Sequence, residues 1–188
     1  IAIAETSGTT NNDGIICAGA TSTLTASGGT TYLWSSTATT AGITVTPANT
    51  TTYTVTVSDA NGCVSLATTS PQVTEPPPLS SIITTSNVSC FGGNNGSATV
   101  TASGGAPAYT YTWLPSAATS SIITNQSAGT YSVQIEDQNN CILTSTFTIA
   151  QPTMALTASL ITTSVTCFGG SNGTVDAIAS GGTGPYHY

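Results

Sequence analysis

The side chains of this chain best equipped for chemistry are five cysteines, at positions 17, 63, 90, 141 and 167. None forms a Cys-x-x-Cys pair, and the one histidine, His187, is far in sequence from the first four, so the spacing assembles no zinc site. Wide separations suit disulfides formed in an oxidising compartment. Cys17 to Cys63 spans 46 positions and Cys90 to Cys141 spans 51, which predicts the bonds Cys17–Cys63 and Cys90–Cys141. Each would close a loop and stabilise its surroundings by about 4 kcal/mol on the chain-entropy model. Cys167 is left over, and its partner is expected beyond Tyr188, near where residue 218 would fall.

The other reactive groups are poorly placed for catalysis. His187 has no acid or nucleophile near it in sequence, so a general-base role is not expected. Glu136 and Asp137 are adjacent, and on a strand they would point to opposite faces, which rules out a glycosidase pair. Asp59-Ala60-Asn61-Gly62 and Asp137-Gln138-Asn139-Asn140 carry oxygen ligands, but too few and too closely spaced for a dedicated calcium loop; they read as Asx turns. Phe91-Gly92-Gly93 and Phe168-Gly169-Gly170 lack the lysine and helix of a phosphate cradle. No catalytic residue, metal or cofactor is expected.

Charge narrows the partners. The chain has no Lys or Arg, seven acids and a formal net charge of −7. It cannot neutralise a phosphate backbone or an anionic membrane surface, so nucleic acid is excluded as a partner. No apolar run is long enough for a membrane-spanning helix, so membrane insertion is not expected. Schiff-base chemistry and Lys–Asn isopeptide bonds are absent for want of lysine. With 38% apolar residues and β-branched residues abundant, the chain reads as folded rather than disordered.

A repeat along the sequence supplies the elements that hold these groups. Cys90-Phe91-Gly92-Gly93 returns as Cys167-Phe168-Gly169-Gly170, a shift of 77, and the same shift carries Ala102-Ser103-Gly104-Gly105 onto Ala179-Ser180-Gly181-Gly182. An earlier, looser copy has Cys17, Ser27-Gly28-Gly29, Tyr32-x-Trp34 and Tyr53 to Cys63, against Tyr131 to Cys141 in the second. Apolar residues alternate with Ser and Thr at period two: Ala98, Val100, Ala102; Tyr109, Tyr111, Trp113; Tyr131, Val133, Ile135. Each such stretch predicts a half-buried strand, with Gly and Asn turns between. The predicted fold is all-β: tandem immunoglobulin-like β-sandwich modules, each with one disulfide, the last module incomplete. Trp34, Trp113, Tyr53 and Tyr131 are the expected core aromatics.

The organisation predicted is 9–75 as an immunoglobulin-like module, 76–78 as a polyproline spacer, 79–152 as a full repeat and 153–188 as a partial one. Residues 1–8 resemble the closing strand Thr148-Ile149-Ala150-Gln151. They are expected to complete a preceding module, or to be donated to a neighbour's unfinished third module.

Asn87-Val88-Ser89-Cys90-Phe91-Gly92-Gly93-Asn94-Asn95-Gly96, with Ser103-Gly104-Gly105, Tyr109-x-Tyr111-x-Trp113, Ala128-Gly129-Thr130-Tyr131 and Asp137-x-Asn139-x-Cys141, resembles the SprB-type repeat of Bacteroidota gliding adhesins. The resemblance covers 79–188; residues 9–74 are similar to the Ig-like or PKD-like modules of the same secreted proteins. It implies export by type IX secretion and display at the cell surface. Together with the lysine-free strand edges, which are weakly guarded against edge-to-edge pairing, it points to a non-enzymatic adhesin stalk or extracellular filament. The expected partner is the chain itself in a fibre, or a surface polysaccharide. A carbohydrate-binding module array is the alternative; it would need its aromatic residues exposed.

Overall fold

A computed structural model describes residues 1–8, 12–66 and 71–188, and every described element is a strand. The first module contains β1 (Ala2–Glu5), β2 (Ser22–Thr25), β3 (Thr31–Trp34), β4 (Gly42–Val45), β5 (Thr51–Thr52), β6 (Val55–Ser58), β7 (Val64–Leu66) and β8 (Gln72–Val73). Two three-stranded antiparallel sheets result, β1-β2-β4 and β3-β6-β7, beside a small β5-β8 pair. In immunoglobulin lettering these are A-B-E and C-F-G, with no D strand among the described residues.

Period two explains the layers. Leu24, Ile43 and Val45 from one sheet meet Trp34 and Val55 from the other in a buried cluster, while the intervening threonines face outward. Trp34 is 2% exposed and donates its indole N–H to Thr40 O at 2.9 Å, so the ring is buried without stranding its polar atom. Tyr53 is only partly buried against this cluster, enough for desolvation to push its phenol above the ordinary value of 10.0.

The second repeat uses the same letters: β9 (Ser80–Ser86), β10 (Gly96–Ser103), β11 (Thr110–Leu114), β12 (Ile122–Gln126), β13 (Gly129–Glu136) and β14 (Ile142–Ile149). Its sheets are β12-β10-β9 and β11-β13-β14. Trp113 is fully buried on strand C, and Phe147 meets it edge-on at 5.6 Å and stacks with Tyr131 at 5.8 Å. Tyr131, near the start of strand F, donates its hydroxyl to Ser127 O at 2.9 Å. This is the tyrosine corner of immunoglobulin-like domains.

The third copy is one antiparallel hairpin, β15 (Thr157–Thr163) with β16 (Thr174–Ser180), registered from Thr157↔Ser180 to Thr163↔Thr174.

The chain divides into two compact units, 1–82 with 102–112 and 134–145, and 83–101 with 113–133 and 146–188. This departs from the expected beads, because one end of the second repeat packs in the same unit as the first module. The triple proline is accordingly held rather than free: Gly105 N donates to Pro77 O at 2.7 Å.

Residues 1–8 also differ from expectation. Ala2–Glu5 pair with Ser22–Thr25 of their own module, so they are its strand A and neither close a preceding module nor lie free for donation. Glu5 secures this end by accepting Asn12 N at 2.9 Å and Gly14 N at 2.5 Å.

Candidate functional site

Each module places cysteine in two kinds of loop. The first kind joins strands A and B. Cys17, Cys90 and Cys167 each accept, at the carbonyl, a backbone N–H three residues on, from Ala20 (2.9 Å), Gly93 (3.0 Å) and Gly170 (3.0 Å). Two residues after each cysteine stands a glycine with φ of +76°, +74° and +80°: Gly19, Gly92 and Gly169. That left-handed backbone is why Cys-x-Gly recurs. The loop is then tied to the segment leaving its own module. Gly19 N donates to the Glu75 carboxylate at 3.0 Å, and Gly92 N to the Gln151 side-chain oxygen at 2.8 Å.

The second kind is the turn joining strands F and G. Asp59 Oδ1 accepts Asn61 N at 2.9 Å and Cys63 N at 2.8 Å; Asp137 Oδ1 accepts Asn139 N and Cys141 N, both at 2.9 Å. The Asx-turn reading of these aspartates is the geometry found. Asp137 does more than Asp59. It is 3% exposed, and its Oδ2 accepts Ala106 N at 2.9 Å, joining the F–G turn to the B–C turn.

The disulfide in this structure joins the two loop kinds across modules. Cys17, in the A–B loop of the first, bonds Cys141, in the F–G turn of the second, with S–S 2.04 Å and Cα–Cα 5.5 Å. Cys63, Cys90 and Cys167 are free and exposed. The predicted bonds Cys17–Cys63 and Cys90–Cys141 are therefore overturned, and so is the expectation of one disulfide inside each module.

Strand direction gives the reason. The A–B loop carrying Cys17 lies at the end of the sandwich where β2 begins, at Ser22. The turn carrying Cys63 follows Ser58, which pairs with Thr31 just after the B–C turn, at the end where β2 has finished. A sandwich puts these loops at opposite ends, beyond the Cα separation a disulfide tolerates. Tandem stacking brings the A–B end of one module to the F–G end of the next, and there they meet.

The clasp closes on a tight junction. Cys17, Ala18, Pro78, Leu79, Cys141 and Ile142 line a shallow groove there. Gly104 (φ +75°) packs against Pro78 so closely that a Cβ would strike the Pro78 carbonyl, and Gly105 packs against the Asp137 carboxylate. Sequence reasoning missed this role for the Gly-Gly pair and for Asp137. The signal that could have found it is that the five cysteines fall into two contexts, three Cys-x-Gly and two Asp-x-Asn-x-Cys.

The remaining candidates stay apart. His187 is exposed. Among the described residues no group of three or more His, Cys, Asp or Glu side chains is placed to hold a metal, and no helix is long and apolar enough to cross a membrane.

The SprB repeat family matches residues 82–118 and 159–188, so the chain carries two SprB-repeat segments. No curated protein sequence matches it significantly. Among solved structures, it is similar to the C-terminal 282-residue fragment of intimin, crystallised with the intimin-binding domain of the translocated intimin receptor. That match has 20% identity and a TM-score of 0.43, and covers 76% of this chain and 59% of the other.

Proposed function

We propose that the chain is a load-bearing, non-enzymatic segment of an extracellular repeat protein, serving as an adhesin stalk or a filament subunit. The observation that carries the reading is the clasp. A bond between positions 124 apart ties the first module to the second outside the backbone path. Pulled from its two ends, the chain passes force through the sulfur bridge. The residues between the cysteines, roughly 430 Å of contour if drawn out, are then spared extension even if their strands separate. The SprB-repeat matches support surface display, and absence of Lys and Arg deprives trypsin-like proteases of their cleavage sites. The burial of Trp34 and Trp113 counts against a sugar-stacking array, because neither ring is free to stack on a ligand. Lysine-free edges support a fibre of the chain's own copies over attachment to a surface polysaccharide.

Single-molecule pulling tests the reading. The clasped chain should extend little under oxidising conditions and gain roughly 430 Å when a thiol reductant is added. Equal extension in both states would remove the load-bearing argument.

A further inference from the structure

The junction after the second repeat reproduces the first junction with one part left open. Cys90, Phe91, Ala155 and Leu156 line a groove there, at the repeat positions of Cys17, Ala18, Pro78 and Leu79. The Gly-Gly pair recurs as well. A Cβ at Gly181 would strike the Ala155 carbonyl, as one at Gly104 would strike Pro78. Gly182 N donates to Met154 O at 2.9 Å, as Gly105 N does to Pro77 O at 2.7 Å. At the first junction the remaining wall of the groove is Cys141, Ile142 and Leu143. At the second, Ser89, Gly182 and Thr183 complete the lining, and the Cys90 thiol is free and exposed.

We infer that Cys90 is one half of a second intermodule clasp, whose other half is the Asp-x-Asn-x-Cys turn between strands F and G of the third repeat. The rule is that the A–B cysteine of one module bonds the F–G cysteine of the next. Cys17–Cys141 is its observed case. By the same rule Cys63 takes the A–B cysteine of a module before it, and Cys167 takes the F–G cysteine of a fourth. Two copies of the occupying turn are already seen in this chain, at Asp59–Cys63 and Asp137–Cys141, with matching hydrogen bonds. The third copy's F–G hairpin would also cover the bare face of β15–β16, which a disulfide to an unrelated chain would not do.

Forming the bond needs a disulfide oxidant of the glutathione kind. The Cys90 thiolate attacks the oxidant's sulfur and expels one thiolate. The turn's thiolate then attacks the mixed disulfide and expels the second. Two thiols are thereby oxidised, one disulfide is reduced to two thiols, and two protons pass to the departing thiolates. The inference depends on the extracellular reading only for this oxidant, and its failure would leave the pulling experiment unaffected.

The test is disulfide mapping of the native full-length protein, with free thiols alkylated at lysis and digestion by pepsin. The expected result is the Cys90 peptide linked almost completely to a peptide bearing Asp-x-Asn-x-Cys that does not occur in residues 1–188. In a Cys90→Ser protein that link should vanish while Cys17–Cys141 remains. Recovery of Cys90 as the alkylated thiol, or bonded to Cys63, Cys141, Cys167 or another Cys90, would overturn the inference.

Discussion

The hairpins β9–β10 and β15–β16 occupy matching positions of the repeat, yet they live in different surroundings. In the second repeat Ala98 and Val100 are 1% and 2% exposed, covered by the sheet that carries Trp113 and Val133. In the third, Val175 stands where Ala98 does and is 65% exposed, and Leu160, on the same face, is 67% exposed. The hairpin nevertheless keeps an unbroken seven-pair register and the same cysteine turn. Register and turn are thus properties of the local sequence, whereas burial needs the opposing C-F-G sheet. Each bare Val, Ile or Leu forgoes roughly 1.5–3 kcal/mol that burial would contribute.

Perturbations should therefore separate what is local from what is shared. The largest effect is expected from the clasp. Cys141→Ser, or reduction, releases a constraint over 124 positions and should lower stability by about 5 kcal/mol on the chain-entropy model. Chemical denaturation with and without reductant measures it; an unchanged midpoint would mean that the bond constrains nothing.

Next come paired core substitutions. Trp113→Ala should cost about 3–5 kcal/mol, through loss of a fully buried ring and its contact with Phe147. Val175→Ser in a chain of residues 1–188, where the side chain is 65% exposed, should change stability by no more than about 0.5 kcal/mol. Equal losses in thermal unfolding would erase the contrast between the repeats.

The two F–G turns sharpen the comparison further. Asp137→Ala leaves three backbone donors without their acceptor in a buried setting, and about 3 kcal/mol is expected from their desolvation. Asp59→Ala deprives two exposed donors that water can serve, so about 1 kcal/mol or less should follow. Urea unfolding of both variants gives the order directly.

The smallest effect concerns Glu75, whose Oε2 is buried without a partner while Oε1 holds Gly19 N. Gln151 does the same work for Gly92 with a neutral side chain. Glu75→Gln should therefore alter stability by less than about 1 kcal/mol.

Much of this architecture could be read from the residues. Period-two alternation located Ala98, Val100, Trp113, Tyr131 and Val133, because one face of each strand must find a core. The shift of 77 anticipated the hairpin of the third copy. Disulfide connectivity could not be read this way. Spacing along the chain measures how much backbone a bond encloses, but says nothing about which end of a sandwich a loop occupies. That depends on strand direction and on how modules follow one another, which no single stretch of sequence encodes. The same gap hid Asp137, whose neighbour in the sequence, Glu136, is an ordinary strand residue, while its own carboxylate bridges two turns. It also hid the place of residues 1–8. Their likeness to Thr148–Gln151 reflects a common strand pattern, and the pairing with Ser22–Thr25 had to be seen to be known.

The most direct test is a thiol count with peptide mapping on residues 1–188, refolded, held in an oxidised glutathione buffer and then alkylated. Cys17 linked to Cys141, with Cys63, Cys90 and Cys167 unbonded to one another, is the result predicted by a clasp between successive modules. Recovery of Cys17–Cys63 and Cys90–Cys141, with Cys167 alone left over, would contradict it.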